Sequence, residues 1–350
     1  MGLTSVLGTI GSIASSYAKK PLTAFSQLET SEGGHTIVAK DGSLATVLRI
    51  DGVRQILGDE ELEHLIERLT VQLSPYFGRP GHALQVWFSR DPDLSGLVVQ
   101  NLMRPPRNVA AELGLDFEDV FDAKESHLPN YVVAEGFYFV LWTRLSILTK
   151  QELQRAKIDR KPPKGWPTFA EAQDINRSVR ALVTRHQSFV DSLLTDLGDV
   201  GIRAEALDAD FAIEAVRSSI YPDLTDSGWL PSLPGGPAPR RRPELSPTDA
   251  SHYLWPRLDD QIFDREAERV NPRVVRVGAY NFAGVDMTIG PQEVQNFSYL
   301  LGRMIDGNVS KEMPWRFSAL VEGEGLSMLG IQSFLAAIFT ITNRDNRAIR

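Results

Sequence analysis

The stretch Glu322-Gly-Glu-Gly325 has the layout of a phosphate-binding turn, because it lies between a predicted strand and a predicted apolar helix. Such a turn needs glycines for close backbone approach and a lysine to balance the phosphate charge. No Gly-Lys pair occurs in the chain, and the two glutamates would repel a phosphate. We therefore interpret this stretch as an ordinary strand-to-helix turn and predict no nucleotide site there.

Other residue types that carry chemistry are present without the spacing that chemistry needs. The six histidines form no His-x-x-x-His or Glu-x-x-His pattern, so the sequence predicts no metal site; they are His35, His64, His82, His127, His186 and His252. The chain has no cysteine, which excludes disulfides, thiolate metal sites and a cysteine nucleophile. We predict no catalytic, cofactor-binding or metal-binding residue, and a composite site assembled across the fold stays open.

Acidic clusters at residues 59–63 and 116–125 could supply paired carboxylates for acid and base chemistry. The first cluster is also what the start of a helix favours, and the second is typical of a solvated helix face. Gly325, Ser327 and Gly330 have the wrong spacing for a nucleophile elbow. We assign none of these groups a catalytic role.

Two segments carry candidate binding residues. Residues 1–20 are predicted as an amphipathic helix whose apolar face would contact a membrane or a protein; its candidate contact residues are Leu3, Val6, Leu7, Ile10, Ile13 and Tyr17. Residues 231–250 are rich in proline and arginine and are predicted to form a mobile loop. In that loop Arg240, Arg241 and Arg242 are the candidate contact for an anion, with a solubilising role as the alternative.

The composition is that of a globular protein, with 350 residues, 42% hydrophobic and 23% charged. A net charge of −8 does not favour direct nucleic-acid binding, which needs a concentrated positive surface. No apolar run approaches the roughly 20 residues of a membrane-spanning helix. These properties favour a cytoplasmic protein.

The chain alternates predicted strands and helices. Asp41-Gly42 is suited to the tight turn of a hairpin between strands at 35–40 and 44–50, and Asp59 is predicted to cap a helix that ends near Leu73. A strand at 83–89 leads to a helical segment predicted to break at Pro105-Pro106, which precedes a short acidic helix at 116–125. An aromatic strand follows at 131–143, with core burial favoured over a stacking platform, and then a helix at 150–158.

Three prolines and four charges at residues 159–167 predict a boundary between two lobes, residues 21–160 and residues 161–350. In the second lobe, helices are predicted at 168–197, 211–220, 291–305 and 326–341, and strands at 202–207, 274–277, 285–289 and 316–321. The predicted fold class is α/β or α+β, two-lobed, with mixed β-sheets flanked by helices and no RecA-like motor.

Six phrases in order resemble the region that precedes the motor in type IV secretion ATPases of the DotO/IcmB (VirB4-like) family. They are LET at 28–30, DGSLATVLRIDG at 41–52, PGHALQVWFSRDP at 80–92, LWTR at 141–144 with LTKQELQRAK at 148–157, TRHQSFVDSLLTDLGDVGI at 184–202, and IYPDLTDSGWLPSLPG at 220–235. No phrase is diagnostic by itself. Their order and spacing carry the resemblance, which covers most of the chain.

The resemblance implies a non-catalytic docking and assembly region that links a motor to the inner-membrane channel. ATP and magnesium would bind in a motor beyond this sequence, so no cofactor is expected in residues 1–350. The implied partners are further copies of the chain, including dimers within a hexamer, components of the inner-membrane secretion channel, and other secretion ATPases. The implied location is the cytoplasmic face of the bacterial inner membrane.

Two alternatives from other classes remain at this point. One is a free-standing α/β enzyme with a composite site, which tight ATP binding or hydrolysis by residues 1–350 would favour. The other is a soluble scaffold with no motor attached. A reading frame that continues past Arg350 into a phosphate-binding loop would separate that scaffold from the secretion ATPase.

Overall fold

The computed structural model shows an α+β fold, which confirms the predicted fold class. It describes residue 23 and residues 26–53, 58–78, 80–159, 180–222, 227–234, 255–265, 267–284 and 314–322. Internal contacts divide the chain into two compact units, each built from three separate stretches. Unit 1 comprises Met1–Thr46, Leu148–Val183 and Leu207–Gly290, and unit 2 comprises Val47–Ile147, Thr184–Ala206 and Pro291–Arg350.

The described elements are ten strands and seven α-helices. The strands are β1 (Leu28–Glu32), β2 (Thr36–Ala39), β3 (Leu44–Val53), β4 (His82–Asp91), β5 (Ala134–Thr143), β6 (Ile202–Ala206), β7 (Ala267–Asn271), β8 (Val274–Val277), β9 (Tyr280–Ala283) and β10 (Trp315–Glu322). The helices are α1 (Asp59–Phe77), α2 (Ser95–Glu112), α3 (Glu118–His127), α4 (Lys150–Asp159), α5 (Arg180–Asp199), α6 (Ala209–Ile220) and α7 (Leu258–Ile262).

In unit 1 the predicted hairpin is confirmed. Strand β2 pairs antiparallel with the first residues of β3, and Gly42 in the turn has a φ of 84°, a conformation that favours glycine. The Asp41 carboxylate accepts a hydrogen bond from the Ser43 amide at 2.8 Å, which closes the turn from its other side. Strand β1 pairs antiparallel with β2 and was not predicted as a separate strand.

A buried ion pair connects this hairpin to α7 within unit 1. The Lys40 ammonium lies 2.6 Å from the carboxylate of Asp259, whose side chain is 1% exposed. Burial alone would raise the pKa of Asp259, but hydrogen bonds from Lys40 and Arg257 lower it below its usual value. The rest of the described unit includes α6 and an antiparallel sheet in the order β7-β8-β9.

In unit 2, β4 pairs antiparallel with β5 on one side and with β10 on the other. Strand β6 pairs antiparallel with the second half of β3. In the aromatic strand β5, Phe139 is 1% exposed and Leu141 is fully buried. Core burial therefore holds for Phe139, whereas the other three aromatic residues of this strand, Phe137, Tyr138 and Trp142, are half-buried.

Helices α1 and α5 contribute the helical part of the unit 2 core. Their apolar stripes pack in one cluster with β3, β4 and β5. Helix α1 differs from its prediction at both ends, because Gly58 is the N-cap where Asp59 was expected and the helix continues past Leu73 to Phe77. Pro75 is tolerated near its end.

Helix α2 corrects the predicted break at Pro105-Pro106, because it runs unbroken from Ser95 to Glu112. The two prolines have no amide hydrogen, so the carbonyls of Asn101 and Leu102 lose their helical donors. Both residues are exposed, and water can bond the freed carbonyls. The helix therefore survives two prolines because they lie on its solvent side.

Several predictions lie outside the described residues. They are the helix at 1–20, the boundary at 160–167, the start of the helix at 168–179, the loop at 235–250, and the elements at 285–289, 291–305 and 326–341. Among the helices that the structure describes, none has the length and apolar content to cross a membrane.

Candidate interaction surface and buried histidine pair

Helices α2 and α3 form a hairpin that Arg107 holds together. Its guanidinium donates hydrogen bonds to three carboxylates near or on α3, those of Glu118 at 2.9 Å, Asp122 at 3.0 Å and Glu125 at 2.8 Å. The same guanidinium lies 5.4 Å from the centre of the Phe121 ring, which is buried between the helices. One arginine thus fixes the position of α3 on α2.

A second face of α2 is exposed in the described part of unit 2. Leu102, Pro106 and Val109 on α2 and its C-cap residue Leu113 follow one another at intervals of four, three and four residues, and all are exposed. The exposed fraction is 62% for Leu102, 52% for Val109 and 68% for Leu113. We call these four residues the α2 seam. The intervals are those of the apolar seam between two packed helices.

The tip of the hairpin is apolar and acidic. Every residue from 111 to 120 is exposed, including Leu115, Phe117 and Val120. Residues 112–125 carry six carboxylates and one cation, namely Glu112, Asp116, Glu118, Asp119, Asp122, Glu125 and Lys124. Three of these carboxylates bind Arg107, whereas Glu112, Asp116 and Asp119 form no ion pair within the described residues. The surface is therefore suited to an apolar partner with positive charge beside it.

Two histidines far apart in the sequence meet inside unit 2. His82 begins β4, Thr143 ends β5 opposite it, and His186 lies on α5. The Thr143 hydroxyl is 3.3 Å from Nδ1 of His82 and 2.8 Å from Nδ1 of His186. Since a hydroxyl has one proton, it donates to one ring and accepts from the other, so the two neutral rings hold different tautomers.

Burial keeps both imidazoles neutral. It lowers the pKa of His82 to about 4, with a smaller lowering from the nearby charge of Arg185. Burial also lowers the pKa of His186 to about 4, with a further contribution from His82. The side chain of His186 is completely buried. At neutral pH both histidines are therefore uncharged, and each can form a hydrogen bond with the Thr143 hydroxyl.

An open cavity of about 270 Å³ lies beside His82. Three hydroxyl residues of α5, Thr184, Ser188 and Ser192, line it at intervals of four residues and therefore share one helix face. The Arg185 guanidinium also lines the cavity and donates a hydrogen bond to the Ile147 carbonyl at 2.7 Å. The rest of the lining is aromatic or apolar and comes from Tyr76, Ile147 and Phe189, so the cavity combines a polar helix face with an apolar wall.

The predicted contact residues cannot be placed. The six apolar residues of the N-terminal segment and Arg240 to Arg242 all lie outside the described residues. Within the described ranges, no cluster of three or more histidine and acidic side chains could hold a metal ion. Among the five histidines that the structure describes, it brings together His82 and His186.

Sequence analysis missed both features of unit 2. The α2 seam had a sequence signal, its four-three-four spacing, but the expected break at Pro105-Pro106 divides that pattern in two. The histidine pair had no local signal, because β4 and α5 supply the two histidines and β5 supplies the threonine between them. Comparison with known proteins finds no matching protein-family model and no significant match among curated proteins.

Proposed function

We propose that this chain is the docking and assembly region of a type IV secretion ATPase of the DotO/IcmB branch. In this role it links a motor to the inner-membrane channel at the cytoplasmic face of the membrane and does not itself hydrolyse nucleotide. The six ordered sequence phrases support the family. The partners in this proposal are other copies of the chain, channel components and other secretion ATPases.

The observation that carries the docking role is the α2 seam. Four apolar side chains in helix-pairing order face solvent on a hairpin that an internal arginine network already holds in shape. A helix normally buries such a stripe, because each exposed leucine forgoes about 1.5 to 3 kcal/mol of burial. An exposed apolar stripe with polar residues at its edge is typical of a surface that binds another protein.

The test compares two exposed sites on the same unit. In the source bacterium, the double substitution Leu102→Glu/Leu113→Glu is expected to reduce co-purification with the inner-membrane secretion complex by about tenfold or more. Val71→Glu is the matched control, because Val71 is 60% exposed on α1 and lies outside the hairpin. Equal co-purification of the two variants would refute the docking role of the hairpin.

The cavity beside His82 favours a second candidate, a free-standing enzyme with a composite site. Its hydroxyl face on α5, Arg185 and a neutral imidazole could position a small polar substrate. Calorimetric titration of residues 1–350 with magnesium-ATP separates the candidates. Tight binding that His82→Gln abolishes would support the enzyme, and no heat of binding is expected for the docking region.

A further inference from the structure

We propose that the α2 seam binds residues 2–18 from a second copy of this chain. The inference rests on the proposed assembly role and names the partner of its hairpin surface. Three observations support it: the apolar spacing of the two segments, the opposite charges of the residues that flank them, and the exposure of the seam in the described part of the chain.

The two segments have matching apolar spacing. Residues 2–18 carry apolar side chains at successive intervals of three, four, three and four residues; they are Leu3, Val6, Ile10, Ile13 and Tyr17. The α2 seam has intervals of four, three and four. Both orders are those of two helices that pack along a common seam. At a rise of 1.5 Å per residue, the α2 seam is about 16 Å long.

The residues that flank the two segments have opposite charges. Residues 2–18 have no charged side chain, but Lys19 and Lys20 come directly after them, and the first acidic residue of the sequence is Glu29. The hairpin tip beside the α2 seam presents Glu112, Asp116 and Asp119 without ion pairs among the described residues. An apolar segment that ends in two lysines is therefore attracted to this surface, whereas an anionic lipid surface is repelled by it.

This contact joins two different surfaces and is therefore heterologous. Each copy offers one N-terminal segment and one seam, so association proceeds head to tail, and a ring results where the rotation closes. A seam of four side chains is smaller than the roughly 800 Å² per partner of a standard stable interface. A single contact is expected to be weak, and assembly is expected to depend on protein concentration.

The experiment measures self-association of residues 1–350 by analytical ultracentrifugation. Two variants are compared, one lacking residues 1–20 and one carrying Leu102→Glu/Leu113→Glu, with Val71→Glu as control. Each of the two variants alone is expected to stay monomeric at concentrations where the parent and the control associate. An equimolar mixture of the two variants is expected to form a 1:1 heterodimer, because one supplies the intact segment and the other the intact seam.

Circular dichroism and thermal unfolding are used to check that each variant is folded. A mixture that stays monomeric overturns the inference, as does self-association of the variant that lacks residues 1–20. A third outcome also overturns the inference. In it, the parent binds phosphatidylglycerol vesicles, deletion of residues 1–20 abolishes this binding, and the mixture forms no heterodimer; the segment would then bind lipid. If the inference fails while the seam variant still loses the secretion complex, the proposed docking function stands.

Discussion

At the scale of single residues, His82, Thr143 and His186 show how burial sets a charge state. Each imidazole is neutral in the folded unit, because the interior disfavours the imidazolium and Thr143 offers one hydroxyl to both rings. In the unfolded chain a histidine has a pKa of about 6.5. Protonation of these two histidines in acid therefore favours the unfolded chain over the folded one.

This difference predicts a loss of stability in mild acid. The contribution of neutral His186 is fully present above about pH 6.5 and is lost as the pH falls towards 4, with a limit of about 3 kcal/mol. Urea unfolding followed by tryptophan fluorescence measures the free energy of unfolding at a series of pH values between about 7.5 and 4.5. His186→Gln is expected to flatten the pH dependence, although it lowers stability at neutral pH.

The exposed His64 provides the matched control for this measurement. His64→Gln replaces an imidazole whose side chain is 78% exposed, so it controls for the loss of one histidine without a change in the interior of unit 2. A pH dependence that survives unaltered in His186→Gln would show that the buried pair does not control acid stability.

At the scale of elements, Gly81 joins the start of β4 to the end of β5. Its φ of 120° is unfavourable for other residues, and an added Cβ would lie 2.5 Å from Cβ of Ile147. The Gly81 carbonyl also accepts a hydrogen bond from the Arg144 amide at 2.7 Å. The two strands can therefore close only around a residue without a side chain.

Gly81→Ala is expected to lower the free energy of unfolding by about 2 kcal/mol or more, because it combines backbone strain with a clash against main-chain atoms. Gly96→Ala is the control, since Gly96 lies in the first turn of α2 and no atom would lie within 4 Å of its new Cβ. That substitution is expected to be neutral or to stabilise by up to about 1 kcal/mol. Equal effects of the two substitutions on urea unfolding would refute this account of Gly81.

Local patterns in the sequence predict many of the described elements. The Asp41-Gly42 hairpin, the strands β4 and β10 and the helices α3, α4 and α6 follow from turn chemistry or apolar periodicity, which neighbouring residues determine. Strand β1 and the exposed strands β7 and β9 were missed, because pairing with other strands stabilises them. The course of α2 through two prolines depends on solvent exposure, which a local pattern does not contain.

The two candidate sites also differ in how much of each a local sequence pattern contains. The spacing of the α2 seam is present in the sequence, but only the structure shows that these apolar side chains face solvent. His82 and His186 meet because β4, β5 and α5 pack together, and this packing depends on long-range contacts in the unit 2 core. Sequence patterns indicate continuous segments, whereas each compact unit combines three separate stretches.

At the scale of the whole molecule, the proposed role of the chain is docking and assembly through one exposed hairpin. The surface of this hairpin has an exposed apolar seam along α2 and acidic side chains at its tip. The family resemblance supplies the expected setting, the cytoplasmic face of an inner-membrane secretion channel. The central claim is therefore that the α2 seam contacts protein in the assembled system.

Site-specific photocrosslinking in cells that express the chain tests whether the α2 seam contacts protein. A photoreactive amino acid is placed at position 113 in the α2 seam or at position 71 on α1, and mass spectrometry identifies the crosslinked products. We expect products at position 113 that contain a second copy of this chain or a component of the proposed secretion complex, with none of these products at position 71. No protein product at position 113, or the same products at both positions, would contradict it.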